Sequence, residues 1–409
     1  MPSTQAYAYK GRDAAGRIVK GRVDASSELA VTSRLRTMGL TPISIAEASA
    51  GTGLNREINI GGFRKRVKLA DLAIMSRQMA TMISSGLSLL RTLNILAEQT
   101  ESKALADILG KVRSDVETGS ALSDAMQQHA EDFPPLMINM VRAGETGGFL
   151  ENSLTSIADS FEADVKLRGT IKSALTYPVI VLIMAIVAVA AMLIFIVPVF
   201  KGMFEGLGGT LPLPTQMLVW LSEMMIYIVP VVVIGSVFFT VWWHKNRHTE
   251  RVRKVIDPLK LKLPVFGPLM TKIAVARFTR NFSAMIGAGV PILKALQIVG
   301  ETSGSWVVEM ALRNVAESVR QGKSIAGPLA NEPIFPAMVT QMIAVGEDSG
   351  SLEQMLGKIA DFYDAEVEST TEQLTSLIEP LMVAFIGVVV GGMIVALYLP
   401  VFDIFKLIE

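Results

Sequence analysis

"AGETGGFLE" at Ala143–Glu151 and "VGEDSGSLE" at Val345–Glu353 are nearly the same nine residues written twice in one chain. The copies keep a register. Phe133, Gly144, Glu145, Gly148 and Leu150 recur 202 positions later as Phe335, Gly346, Glu347, Gly350 and Leu352. The same shift carries Pro178 onto Pro380, and "VPVF" from Val197 onto "LPVF" from Leu399. Upstream, a shift of 203 aligns "RQMATMISSGLSLLRTLNIL" from Arg77 with "RNFSAMIGAGVPILKALQIV" from Arg280. A register held over such a length marks duplication of a whole structural unit.

The chain of 409 residues is 50% hydrophobic and only 19% charged, which is too apolar for an ordinary soluble protein. Net charge is zero, so nothing in the charge balance argues for nucleic acid as a partner. Without cysteine there are no disulfides, thiolate nucleophiles or Cys-ligated zinc. The three histidines, His129, His244 and His248, form no HExxH pattern. The N-terminal "MPSTQAYAYKGRDAAG" lacks the apolar core of a signal peptide. No catalytic pair is visible, so the chain is read as a non-enzyme that needs no cofactor.

A helix needs about 20 apolar residues to span hydrocarbon. Three runs qualify: 176–198, 218–243 and 378–402. Basic residues cluster after the second run, at Lys245, Arg247, Arg251, Arg253 and Lys254, whereas the turn 199–217 carries only Lys201. The positive-inside rule therefore places the N-terminus and the middle region in the cytoplasm, with 199–217 and the tail 403–409 outside. Each repeat is a helical region followed by one outward span. The second span has no counterpart in the repeat and serves to bring the chain back, so the repeats are parallel, unlike the inverted repeats of many transporters.

Apolar spacing predicts a helix over Leu69–Ser84, another from Ser88, a third stopped by Gly119, one ending near Ala143 and a long one from about Phe149. Each unit thus reads as an antiparallel helical bundle. The repeated motif falls between two helices. Gly144 and Gly346 are expected to be left-handed C-caps, Gly148 and Gly350 to permit a tight turn, and Leu150 and Leu352 to start the next helix. Glu145 and Glu347 are expected beside that next helix's positive N-terminus. On this corner reading, Gly144→Val destabilises and Glu145→Gln does so much less. Metal binding by Glu145 with Glu151, or a partner contact at the corner, are the functional alternatives. Gly387 and Gly391 share one face of the last span and are candidates for helix packing, either within the chain or between subunits. "QGKS" at Gln321–Ser324 resembles the end of a phosphate-binding loop, but Glu317 stands where its first glycine belongs, so it is read as a helix terminator.

Residues 1–48 differ in kind: "YAYKGRDAAGRIVKGRVDA" alternates as a hairpin, and a short helix and a further strand follow, giving a small α+β domain. A linker with a basic cluster, 49–68, precedes the first bundle, 69–172. A basic connector, 244–272, precedes the second, 273–375. With "RAGETGGFLE", "SALTYPVIV", "VPVFKGMF" and "SLIEPLMVAFIGVVVGGMIVALYLPVF", these features resemble the GspF/PilC family over nearly the whole chain. Members are inner-membrane platform proteins of type II secretion systems and type IV pili. The resemblance implies two cytoplasmic bundles, self-association into a dimer or larger homo-oligomer, and residence in the bacterial inner membrane. It also implies contact with a cytoplasmic assembly or retraction ATPase, with pilin or pseudopilin subunits and with other inner-membrane assembly proteins. The alternative from another class is a membrane transporter with parallel repeats, but the first and third spans offer no ionisable group at mid-membrane.

Overall fold

The computed structural model describes residues 5–12, 18–25, 28–37, 39, 41–47, 67–206, 211–246, 249–264 and 266–407. They belong to two compact units, Met1–Lys65 and Arg66–Glu409. In the first unit, strands β1 (Gln5–Arg12), β2 (Ile18–Ala25) and β3 (Thr41–Glu47) form an antiparallel sheet in the order β2-β1-β3. Helix α1 (Glu28–Thr37) buries Val31 and Leu35, four residues apart on one face. Residues 13–17, between the two strands of the expected hairpin, and residues 49–66 of the expected linker lie outside the described residues.

The first repeat contains α2 (Leu69–Ser84), α3 (Leu89–Gln99), α4 (Lys103–Glu117), α5 (Leu122–Gln127), α6 (Pro135–Gly147) and α7 (Leu150–Ala191). A π-helical stretch, Met192–Ile196, joins α7 to α8 (Val197–Gly206). After α9 (Leu213–Asn246) and α10 (Glu250–Lys262), the second repeat follows as α11 (Gly267–Gly287), α12 (Ile292–Thr302), α13 (Trp306–Arg320), α14 (Ala326–Ala330), α15 (Ala337–Ser349) and α16 (Leu352–Leu407).

The same devices start and stop the helices in both copies. Gly86 and Gly289 (φ 82° and 64°) turn the chain after the first helix of each repeat. Gly119 and Gly322 (φ 101° and 83°) turn it after the third. Phe133 and Phe335 anchor the two cores, and Phe335 packs on Phe278 with ring centroids 5.0 Å apart. Burying each ring contributes about 2–3 kcal/mol. One apolar cluster runs through both bundles, from Leu72 and Met79 in α2 to Leu356 and Ile359 in α16.

Several boundaries differ from those the sequence suggests. The helix expected to end near Ala143 continues to Gly147. Nothing interrupts the chain between bundle and span: helix runs from Leu150 to Phe204, 55 residues, and again from Leu352 to Pro400, 49 residues. Pro178 and Pro380, which sit near the expected boundaries, are accommodated inside these helices. The last helix continues through Leu407 into the expected tail. The expected connector contains α10 and the start of α11, and α10 is docked: Asp257 accepts from the Trp306 amide (3.0 Å) at the start of α13, while Arg253 pairs with Glu309 (3.0 Å).

Among the described residues, three helices are long and apolar enough to cross a membrane. The long helices α7 and α16 run side by side. Leu167 clusters with Val367 and Leu374 at the bundle end, and Leu193 and Val197 cluster with Met393 and Leu397 farther along.

Candidate functional site

The repeated corner is built from two helix ends. In the first copy Gly148 is the left-handed residue (φ 76°, ψ 18°), and the Phe149 amide closes on the Gly144 carbonyl at 2.9 Å. In the second, Gly350 takes that role (φ 68°, ψ 16°), and the Ser351 amide closes on Gly346 at 2.9 Å. The left-handed caps are therefore Gly148 and Gly350, not Gly144 and Gly346. The latter pair is buried and helical, and serves close approach instead. A Cβ on Gly144 would lie 2.9 Å from the Leu150 Cα and 2.6 Å from the Ser153 Oγ. One on Gly346 would lie 3.0 Å from the Leu352 Cα. Leu150 and Leu352 thus start α7 and α16 against the bare backbone of the helix before.

Glu145 and Glu347 serve a different helix from the expected one. The Glu145 carboxylate accepts from the amides of Leu122 (2.6 Å) and Ser123 (2.9 Å), at the start of α5. Glu347 accepts from Ile325 (2.6 Å) and Ala326 (2.8 Å), at the start of α14. Each glutamate therefore caps the short helix that precedes its own, satisfying two amides that no carbonyl in that helix can reach. Glu151, its suggested metal partner, is exposed in the first turn of α7. Among the described residues no group of three or more His, Asp or Glu could hold a metal ion.

A second repeated device is an arginine clamp. Arg77 on α2 binds Glu162 through two bonds (2.8 and 2.7 Å) and also pairs with Asp159, both on α7. Its counterpart Arg280 on α11 binds Asp364 (2.5 Å) and approaches Asp361 (3.5 Å), both on α16. The hydrogen bond from Arg77 holds the Glu162 carboxyl below the usual carboxylate range. Burial pushes Asp364 up, and Arg280 only partly offsets it. Arg77 and Arg280 open the aligned upstream stretches, but the sequence reading gave them no role. The paired acids three apart, 159/162 and 361/364, were the signal that could have found them.

The two bundles meet along a seam where α7 packs on α11 and α16, and α6 on α12. Ser160 donates to Asn281 (3.0 Å), and Arg277 pairs with Asp164 (3.0 Å). Burial lowers the Arg277 pKa despite that partner. A cavity of about 140 Å³ opens here among Asp164, Arg168, Arg277, Arg280 and Asp364.

In the apolar helices, the repeated prolines create a common problem. Val197 donates to Met192 in the π register, so the next partner due to the Leu193 carbonyl is Pro198, which has no N–H. Ser222 of α9 donates to that carbonyl at 2.5 Å. In α16 the Ala396 carbonyl loses its partner to Pro400, and Thr215 of α9 donates to it at 2.5 Å. Thr215 and Ser222 are the buried residues of α9 and lie seven apart, on one face. Hence the unrepeated span fastens onto both repeated spans. Neither hydroxyl is marked in the sequence by a motif, and Thr215 falls within the expected external loop 199–217. Gly387 and Gly391 have no atom outside their own helix within 4 Å of where a Cβ would sit, so the other spans of the chain do not press on them.

The model of the type II secretion system protein F family matches residues 75–198 and again 278–400, starting and ending at the repeat register. The chain belongs to this family. The family's N-terminal domain model matches residues 1–46. The chain is 40% identical over 405 residues to a type IV pilus assembly protein PilC of Myxococcus xanthus, covering 98% of this chain and 95% of that one. It is 42% identical over 401 residues to a protein of the same name from Thermus thermophilus, covering 97% and 98%. A type II secretion system protein F from Vibrio cholerae is 31% identical over 406 residues, covering 99% of each.

Proposed function

We propose that this protein is a non-catalytic inner-membrane platform for assembling a type IV pilus or a type II secretion pseudopilus. In this reading it couples a cytoplasmic assembly or retraction ATPase to insertion or extraction of pilin or pseudopilin subunits. It has a cytoplasmic N-terminus with a small α+β domain over residues 1–48, and it works as a homo-oligomer. The names of the relatives support the assembly role. The observation that carries the coupling is the unbroken helix from each bundle into the apolar zone, Leu150–Phe204 and Leu352–Pro400. At about 1.5 Å per residue each helix is some 70–80 Å long, so a tilt imposed on a bundle reaches the span without a flexible joint to absorb it. The fastening by Ser222 and Thr215 would spread such a movement to all three spans. Deleting the gene should abolish filament assembly or secretion while leaving filament subunits in the membrane, and the full-length protein should co-purify with the assembly ATPase. Normal filaments and normal secretion in the deletion strain would overturn the reading.

A further inference from the structure

The seam between the repeats is one-directional. By the repeat register α2 corresponds to α11, α3 to α12, α6 to α15 and α7 to α16. Within the chain, α6 and α7 of the first repeat pack on α12 and α11 of the second. The reciprocal packing, α15 and α16 on α3 and α2, is not made to any comparable extent among the described residues. The repeats are therefore joined head to tail, and each leaves one half of the joint unused.

The unused halves carry apolar residues where the internal joint has polar ones. Ile74, 59% exposed, occupies the position of Arg277, and Phe362, 46% exposed, that of Ser160. Val345, 58% exposed, puts a larger apolar side chain where the internal joint has Ala143. The Gly289 turn is covered by the Phe149 ring, 3.1 Å from a Cβ built there, whereas its counterpart Gly86 has open space. Charges on the two halves are complementary. Lys294 and Thr146 line the same groove of the internal seam, and their counterparts are the exposed Arg91 and Asp348. The side-by-side course of α7 and α16 means that the head-to-tail step does not turn a bundle over, so repeating it keeps every span in the same layer.

From this we infer that a second copy of the chain docks by the same joint, its α15–α16 face on the α2–α3 face of the first, with Phe362 against Gln78, the counterpart of Asn281, Glu366 toward Ile74, and Asp348 against Arg91. Such a heterologous contact closes into a ring or continues as an open helix, according to its rotation. The inference deepens the self-association part of the platform reading and rests on it.

Because the chain has no cysteine, the contact can be tested in native membranes. Two differently tagged full-length copies are co-expressed, one Gln78→Cys and the other Phe362→Cys, and treated with a short bis-maleimide. A Ser160→Cys, Asn281→Cys chain, whose side chains bond at 3.0 Å, serves as the internal control. The mixed pair should give a cross-linked dimer, and neither variant alone should. Arg91→Asp should weaken the mixed band, and Asp348→Arg on the partner should restore it. Self-linking of either single variant at the level of the mixed pair would overturn the head-to-tail joint. So would absence of the mixed band while the internal control reacts. If the band is absent and the deletion strain still loses assembly, only this inference falls. If the band forms and the deletion strain assembles normally, the platform reading falls instead.

Discussion

The two repeats agree in their frames and differ in their faces. Both have a left-handed glycine at the corner, a bare glycine under the next helix, a glutamate capping the preceding short helix, and an arginine clamping two acids on the long helix. These groups satisfy needs internal to one bundle, so each copy must supply its own. The faces meet different neighbours. On α7 of the first repeat, Ser160 and Asp164 look into the seam and are polar and paired. Their counterparts on α16 are Phe362, which is exposed, and Glu366, which pairs with Lys272 of its own repeat at 2.7 Å. Residues that hold a fold together were duplicated in place, whereas those that choose a neighbour diverged with the neighbour.

The largest effects should come from the bare glycines, where the two corners differ in tightness. Gly144→Val forces a side chain onto the Leu150 backbone and should cost about 3 kcal/mol. Gly346→Val, facing a flexible methionine as well, should cost about 2 kcal/mol. Thermal unfolding of the full-length protein in detergent would rank them, and equal tolerance would break the comparison. Next comes the cap. Glu145→Ala leaves two amides unpaired and should cost about 1.5–2 kcal/mol, and Glu145→Gln, which keeps one acceptor, about 1 kcal/mol.

Smaller effects are expected between the apolar helices. Ser222→Ala and Thr215→Val should each cost about 0.6–1 kcal/mol. The serine's loss should shrink in a Pro198→Ala background, where residue 198 regains an N–H, and a double-mutant cycle would read that coupling. The smallest effects concern pH, with opposite signs in the two clamps. Glu162 is held low by Arg77, so its contribution is present above the unfolded carboxylate pKa and is lost as pH falls through the folded value. Asp364 is raised by burial, so its contribution is present below the unfolded value and is lost as pH rises through the folded one. Glu162→Gln should flatten the acid side of a stability-against-pH curve, and Asp364→Asn should flatten the decline above it.

The helical units, the three apolar spans and the repeat register were legible because they rest on periodicity and self-similarity, which a single sequence displays. The span of α2 could be read to the residue, since Leu69 begins the apolar stripe and Gly86 ends it. The corner was legible only as a corner. Two candidate glycines lie four apart, and which one is left-handed depends on how closely α7 crosses α6, a tertiary distance. Glu145 could not be assigned because its partners, Leu122 and Ser123, offer backbone amides, which every residue has and no sequence marks. Likewise Ser222 and Thr215 gain meaning only when Pro198 and Pro400 lie beside them in space.

The measurement that bears most directly on the corner is hydrogen exchange on Glu145→Ala in the full-length protein, made alongside an assay of filament assembly or secretion in cells. The account predicts loss of protection at Leu122 and Ser123, unchanged protection at Ile325 and Ala326, and assembly that falls only as far as the amount of folded protein falls. Wild-type protection and wild-type stability with assembly abolished would contradict it, because the glutamate would then be acting on a partner or an ion and not on its own fold.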